Sequence, residues 1–529
     1  MAVQELQAVS PPPKNLCRRF YEPLAFLVCL MKIMTTDHRT RVPGPESLGD
    51  MGPKEAFHCF VNKLAQVCDN QHGGSTVTAF GVLQPGCVEY RFASNMRNAP
   101  ALDEVGRYAT DLLETLGNVP DGELRDAARR SALHAELLGK VLAFNRPRIR
   151  VYLGALLESF DDCIAMCSTG GASDGERIAA ELRALQTMAI HAKALIHASD
   201  PEFVDAARNL LKAIGKCYRE DAFREFMRKR TREDREEASQ TPWTRLYHAL
   251  GRLHSYSIAV KVFVSTRIRW PELFEGFEMT HVPSRRSNYS RPSAMMQSAA
   301  GMVKRLSNDR DISSSFPQVL AAYHQHAPQL QALGLDDAIR TRTNPRNFTP
   351  TIHAEVNLAD DILRAERAGG RRARFFNEPV VGRYIGASKP TCRLCDLYFH
   401  APAGPNIAVR RPHHNLYFSW GYPDVGVNDG PGAEKTRRAV LESMIVAVKR
   451  QAAKTVVERF AVRKDYDTNT TTTDPVRTGY GLGSVRGADA AAVGDLAAAL
   501  GQCCVGVEGT VPGGVDSESE DEGEGGARV

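Results

Sequence analysis

Apolar residues recur at helical spacing through much of the chain. In RIAAELRALQTMAIHAKALIHA (177–198), Ile178, Leu182, Leu185, Ala189 and Ile196 fall on one stripe, the pattern of a helix packed on other helices. Similar stripes run through 122–145, 202–217 and 243–268, which predicts an all-helical region from about 101 to 280. HVPSRRSNYSRPS (281–293), rich in Ser, Pro and Arg, reads as a linker. After it the pattern predicts a helix near 316–333, a turn-rich run TRTNPRN (341–347), and alternating strand and helix to about 462.

The two ends look different. Residues 1–54 carry PPP at 11–13 and VPGPE at 42–46 and read as a loosely ordered arm around one short apolar helix, LAFLVCLM (24–31). Beyond 463, TNTTTTD, a Gly- and Ala-rich run and SESEDEGEGG hold too little apolar surface to offset the cost of ordering, so 463–529 is expected to be disordered. The expected division is an arm (1–54), a mainly α-helical domain (55–280), a linker (281–315), an α/β domain (316–462) and a tail (463–529).

With 529 residues and 43% hydrophobic content the chain can bury two or three cores, which excludes a fibrous or wholly disordered class. The formal charge is +5, and without the last fourteen residues it is +10, from 66 bases against 56 acids. That charge permits a polyanionic partner without demanding one. Twelve scattered cysteines, no cleavable signal and no apolar run of the ~20 residues a membrane span needs predict an intracellular protein with reduced thiols and no membrane partner.

HAE occurs twice, as LHAEL (133–137) and IHAEV (352–356). Fifteen histidines make about one accidental H-x-E expected, so context must decide. The first copy lies inside an uninterrupted amphipathic helix, where residues two apart point roughly 200° away from each other, and His134 and Glu136 are read as structural. Cys163 and Cys167, downstream, sit one helical turn apart in another apolar helix and read as small core residues.

The second copy follows Thr349, Pro350 and Thr351, which predict a helix start with Thr caps and Pro at the first position. His353 and Glu355 would then lean around the helix end toward one cavity. Gly369 and Gly370 stop that helix. VVGRYIGASK (380–389) reads as a strand, and PTCRLCDLYF (390–399) as a helix whose first turn carries Cys392 and Cys395. One imidazole and two thiolates leave a fourth tetrahedral position for water, the layout of a catalytic zinc site. A carboxylate beside it, Glu355, could shuttle the proton that removal of an exocyclic amine requires.

IHAEVNL, YIGASKPTCRLCDLYF and RPHHNLYFSWGYP together resemble the OTT-like branch of the nucleic acid/nucleotide deaminases, within the cytidine-deaminase-like superfamily, over about 350–425. The resemblance implies a cytidine-deaminase-like three-layer α/β/α domain preceded by the helical domain, with the strand before the Cys helix near the centre of a mixed sheet. It implies zinc held by His353, Cys392 and Cys395, with Glu355 catalytic. For the substrate side it implies His414, with Asn347 as a contact for the base, although an Asn between Pro and Arg is more often plain turn chemistry. His413, on the opposite face of the same expected strand, is read as solvent-facing. Thr391 separates Pro390 from Cys392 where the superfamily joins Pro to Cys, and Thr391 is read as a helix cap. The hairpin that relatives place before the His helix is not evident in 336–348, which implies a trimmed fold or a reshaped pocket. Arg364, Arg367, Arg371, Arg372 and Arg374 either meet phosphates or form a solvated helix end.

Two functions are consistent with these residues. One is a zinc-dependent hydrolase of a C–N bond, deaminating a base in a nucleotide or single-stranded nucleic acid. The other is a catalytically inactive, zinc-stabilised interaction module whose helical domain binds a protein partner.

Overall fold

The computed structural model describes residues 9–10, 12–34, 36–37, 51–168, 173–237, 242–288, 298–344, 348–413, 415–426, 429–458 and 461–462. LAFLVCLM lies in the second half of helix α1 (Lys14–Ile33), which is buried almost without interruption from Leu16 to Met31. Leu24 to Leu30 are apolar on every side of the axis, and a helix of that kind belongs inside a core. The described part of the arm is therefore a central element and not a loose one, which corrects the expectation for 1–54.

Helix α2 (Pro53–Cys68) and the hairpin of β1 (Thr78–Leu83) and β2 (Glu89–Ser94) follow. The stripes then become α3 (Ala99–Gly117), α4 (Ala127–Phe144), α5 (Arg146–Ser168), α6 (Ser173–Ala194), α7 (Asp200–Arg219), α8 (Asp221–Glu237) and α9 (Pro242–Arg269). The α6 stripe behaves as read, with Ile178, Leu182, Leu185, Ala189 and Ile196 all buried.

Strand β3 (Glu278–Val282) and helices α10 (Ala299–Ser307), α11 (Arg310–Ser315), α12 (Val319–Ala332) and α13 (Leu335–Arg342) come next. The expected linker 281–315 is thus, where described, the end of a strand and two helices. The chain continues through α14 (Ala354–Gly369), α15 (Glu378–Val381), β4 (Tyr384–Ala387), α16 (Arg393–Phe399), β5 (Ala408–Val409) and α17 (Pro431–Glu458). Arg19 of α1 makes a two-pronged ion pair with Glu442 of α17, both contacts at 2.6 Å. Residues 463–529 lie outside the described residues.

One five-stranded sheet organises the molecule, in the order β3-β2-β1-β4-β5. Strand β1 is antiparallel to β2 and β4, while β2–β3 and β4–β5 are parallel. Alternation along β1 divides the interior in two. Phe80 and Val82 enter the core that holds α2 and the helical region, whereas Ala79 and Leu83 enter the core that holds α14 and α1. A hairpin does exist, but at Thr78–Ser94, inside the stretch read as mainly helical. The helical region is inserted between the two parts of one sheet.

Helix α2 approaches β4 so closely that a Cβ on Gly386 would stand 2.7 Å from Val61 Cγ1 and 2.9 Å from the Asn62 backbone nitrogen. Only glycine fits there. The approach lets Asn62 Oδ1 accept from the Ala387 N–H at 3.2 Å and from the Tyr384 hydroxyl at 3.0 Å, which fixes the strand that leads to the Cys helix.

Candidate metal centre

The site is built at two helix entrances. His353 is the N-cap of α14, with extended backbone (φ −66°, ψ 150°), so the helix begins later than the Thr349–Pro350–Thr351 run predicted. That run is used otherwise: Thr351 donates to the Ser419 carbonyl at 2.7 Å and accepts from the Gly421 N–H at 2.8 Å, drawing 417–421 against the helix entrance. Asn95, directly after β2, caps the entrance by accepting from the Ala354 N–H at 2.7 Å. Gly370, at φ 60°, ends the helix as expected.

Cys392 is the N-cap of α16, and its sulfur accepts from the Cys395 N–H at 3.4 Å. Thr391 is not the cap; its Oγ1 is buried without a hydrogen-bond partner. The extra residue before Cys392 is absorbed by a bridge of Thr391 to Pro412 and a hydrogen bond from the His413 N–H to the Thr391 carbonyl at 2.9 Å.

His353 Nδ1 stands 3.5 Å from Cys392 Sγ and 3.3 Å from Cys395 Sγ. The three donor atoms lie within 4.8 Å of one another. A tetrahedral ion about 2.0 Å from nitrogen and about 2.3 Å from sulfur holds N and S roughly 3.5 Å apart, so the donor set fits zinc in type and spacing. Both sulfurs are buried while His353 is half-buried, which leaves the open side at the imidazole.

Glu355 is buried beside this group and hydrogen-bonds Cys395. Burial pushes its carboxyl above the ordinary range; the charge of His353 opposes the rise and that of Cys392 adds to it. Burial also disfavours the Cys392 thiolate, but the hydrogen bond from Cys395 and the charge of His353 outweigh it and hold that thiol well below its usual value. Cys395 is raised, by burial first and then by Cys392. Two adjacent thiolates repel each other, and a cation between them offsets that repulsion, so the pair suits a metal ion.

Two side chains that sequence reasoning missed complete the surroundings. Trp420, fully buried, donates its indole N–H to Cys395 Sγ at 3.2 Å. Tyr417 lies edge-on to His353 with ring centres 5.7 Å apart. His413 is not solvent-facing: it is 3% exposed, accepts from the Asn415 N–H at 3.1 Å and meets Tyr417 edge-on. The expected strand is an irregular segment crossing the start of α16, so alternation does not govern it. His414 and Asn347 lie outside the described residues.

In the basic run, Arg364 is committed internally, to Asp360, to Asp429 and to the Asp424 carbonyl, and Arg372 pairs with Glu378 at 2.9 Å. Arg371 and Arg374 are exposed. The first HAE copy forms no comparable site: Glu136 is exposed on α4, and His134 is half-buried, with burial first and the Lys261 charge next lowering its pKa to about 4.

No described helix is long and apolar enough to cross a membrane. No curated protein and no solved structure matches the chain. Residues 352–424, which hold every residue of the His–Glu–Cys–Cys group, match the family model described as OTT_1508-like deaminase. That match supports assigning this segment to the OTT_1508-like deaminase family.

Proposed function

We propose that the protein is a zinc-dependent hydrolytic deaminase acting on a nucleobase in a nucleotide or nucleic acid. One observation carries the reading: His353 Nδ1 converges with Cys392 and Cys395 at 3.5 and 3.3 Å, with the buried Glu355 carboxyl alongside. The family match over the same segment supports it. The strand order β3-β2-β1-β4-β5, with helices packed on both faces, supports a cytidine-deaminase-like three-layer domain with the helical region inserted into it.

His353, Cys392 and Cys395 would hold the ion, and zinc bound there would supply the Lewis acidity that makes hydroxide available near neutral pH. Glu355 is the proton carrier. It takes a proton from the attacking water and passes it to the ring nitrogen as the C–O bond forms; it then takes the proton of the newly attached hydroxyl and delivers it to the amine, which leaves as ammonia as the C–N bond breaks and the carbonyl forms. Burial raises this carboxyl, the direction that favours its accepting a proton from water. Trp420, through its N–H, steadies the Cys395 thiolate.

Zinc content and ammonia release, screened over nucleosides, nucleotides and single-stranded polymers, test the reading together. Stoichiometric zinc, with release that disappears in Glu355→Ala while the metal stays bound, is the expected result. Bound zinc with no ammonia from any substrate would instead mark an inactive zinc-stabilised module.

A further inference from the structure

Beside the Cys helix lies a cavity of about 540 Å³ between α16, α17 and the end of α11. Arg393, Arg450 and Lys454 line it, with Phe316, Leu397 and Leu416 among its apolar surface, and none of its described lining residues is acidic. Arg450 is exposed and stands one turn from Lys454, so both cations project from the same face of α17. Lys454 has a long contact of 3.7 Å with Glu458, and Arg393 donates to Gln451 at 2.9 Å, which holds its guanidinium at the cavity wall.

Two of its lining residues are chain neighbours of residues at the metal centre. Arg393 follows Cys392, which puts the two Cα atoms ~3.8 Å apart. Leu416 precedes Tyr417, whose ring lies against His353. A hydrogen bond from the Arg393 N–H to the Asn415 carbonyl at 3.1 Å ties the start of the Cys helix to the segment that carries Leu416.

We infer that this cavity is the strand-binding subsite of the enzyme: backbone phosphates of a single-stranded polynucleotide pair with Arg450, Lys454 and Arg393, and a base flanking the target rests on Phe316, Leu397 and Leu416. Cations that track a backbone beside half-buried apolar and aromatic side chains are the elements of single-strand recognition. Duplex stacking hides the base faces such a surface needs, so the strand is single. A free nucleotide, whose own base must reach the metal centre, leaves this second apolar surface and most of the positive charge unused. The assignment rests on the deaminase reading for the target base, whereas strand binding is measured without turnover.

The test uses the full-length zinc protein and a short fluorescent single-stranded oligonucleotide, read by anisotropy at several salt concentrations. Arg450→Glu combined with Lys454→Glu is expected to weaken binding by on the order of tenfold or more, and to lower the salt slope by about one to two, with zinc content unchanged. Arg450→Ala, at an exposed position, gives the same direction with a smaller loss and is read if the double variant melts early. Unchanged affinity and slope in these variants, or wild-type binding to a mononucleotide as tight as to the strand, would overturn the inference. Such a failure leaves zinc content and ammonia release standing, while intact strand binding without ammonia release counts against the deaminase reading alone.

Discussion

Two copies of the same three letters meet opposite fates in this molecule. In mid-helix, His134 leans half-buried toward α9 while Glu136 faces solvent. At a helix entrance, His353 is the cap and Glu355 is buried behind it, close enough to two sulfurs to share their chemistry. The cysteines differ in the same way. Cys163 and Cys167 are buried in α5, and burial raises Cys167, whereas Cys392 caps a helix and its thiol is held low. A motif of this length carries chemistry only where the helix begins and where other segments, here α16, Asn95 and Trp420, are brought to it.

The sharpest way to break the comparison is to remove ligands from each region. Cys392→Ser or Cys395→Ser should reduce bound zinc from near one per chain to near zero, and ammonia release with it. Cys163→Ser should leave the metal in place; elemental analysis of the purified variants decides. Next in size, Glu355→Ala should cut the turnover rate by about 10²–10⁴-fold, the usual contribution of a positioned proton carrier. Glu136→Ala should leave it unchanged. Equal losses in the two variants would mean that helix position does not separate the copies.

How far this contrast could be read beforehand depended on the range of the signal. The α6 stripe, the Gly370 stop and the Cys–Cys spacing are local patterns, and each appears in the structure close to where it was expected. The hairpin is expected just before the His helix, but Asn95 at its end is 259 residues away from the Ala354 N–H it caps. Nothing local in the sequence announces such a pairing. Strand β1, buried on both faces, also lacks the alternation that reveals a half-buried strand. In α1 the prolines at 11–13 signal a loose segment, while Leu24 to Leu30, apolar on every side, set the burial. Trp420 and Tyr417 reach the site through the Thr351–Ser419 and Thr351–Gly421 hydrogen bonds, contacts that no spacing rule encodes.

A smaller effect separates the copies through pH. His134 has a folded pKa of about 4, below its ordinary value, because burial and the Lys261 charge disfavour its cation. Between about 6.5 and 4 the unfolded chain therefore binds the extra proton, and the contribution of this group to stability is present above that window and lost as pH falls through it. The loss is at most about 2 kcal/mol between pH 6.5 and 5. Buried His58 and His254, lowered to about 4 and about 3, act in the same direction. Urea unfolding at pH 7.5 and 5 should thus show a smaller acid loss in His134→Gln than in wild type, with zinc content equal in both. An unchanged difference would remove His134 from the set of structural histidines.

The smallest predicted effect lies in the indole contact. Trp420 Nε1 donates to Cys395 at 3.2 Å, and its ring is packed among Phe20, Tyr398 and Tyr422. In Trp420→Phe most of that packing can be retained, but the N–H is lost, so the Cys395 thiolate is left with one donor fewer in a buried setting. Outer contacts of this kind are worth roughly 10- to 100-fold in metal affinity, and a single neutral donor to sulfur belongs at the lower end, about tenfold, or about 1.4 kcal/mol. Chelator competition measures this directly. A packing defect alone would lower the melting temperature of the metal-free protein as much as that of the zinc-bound protein. A lost thiolate donor lowers the zinc-bound form more, and equal shifts in the two would reduce Trp420 to a core residue that happens to stand near the metal.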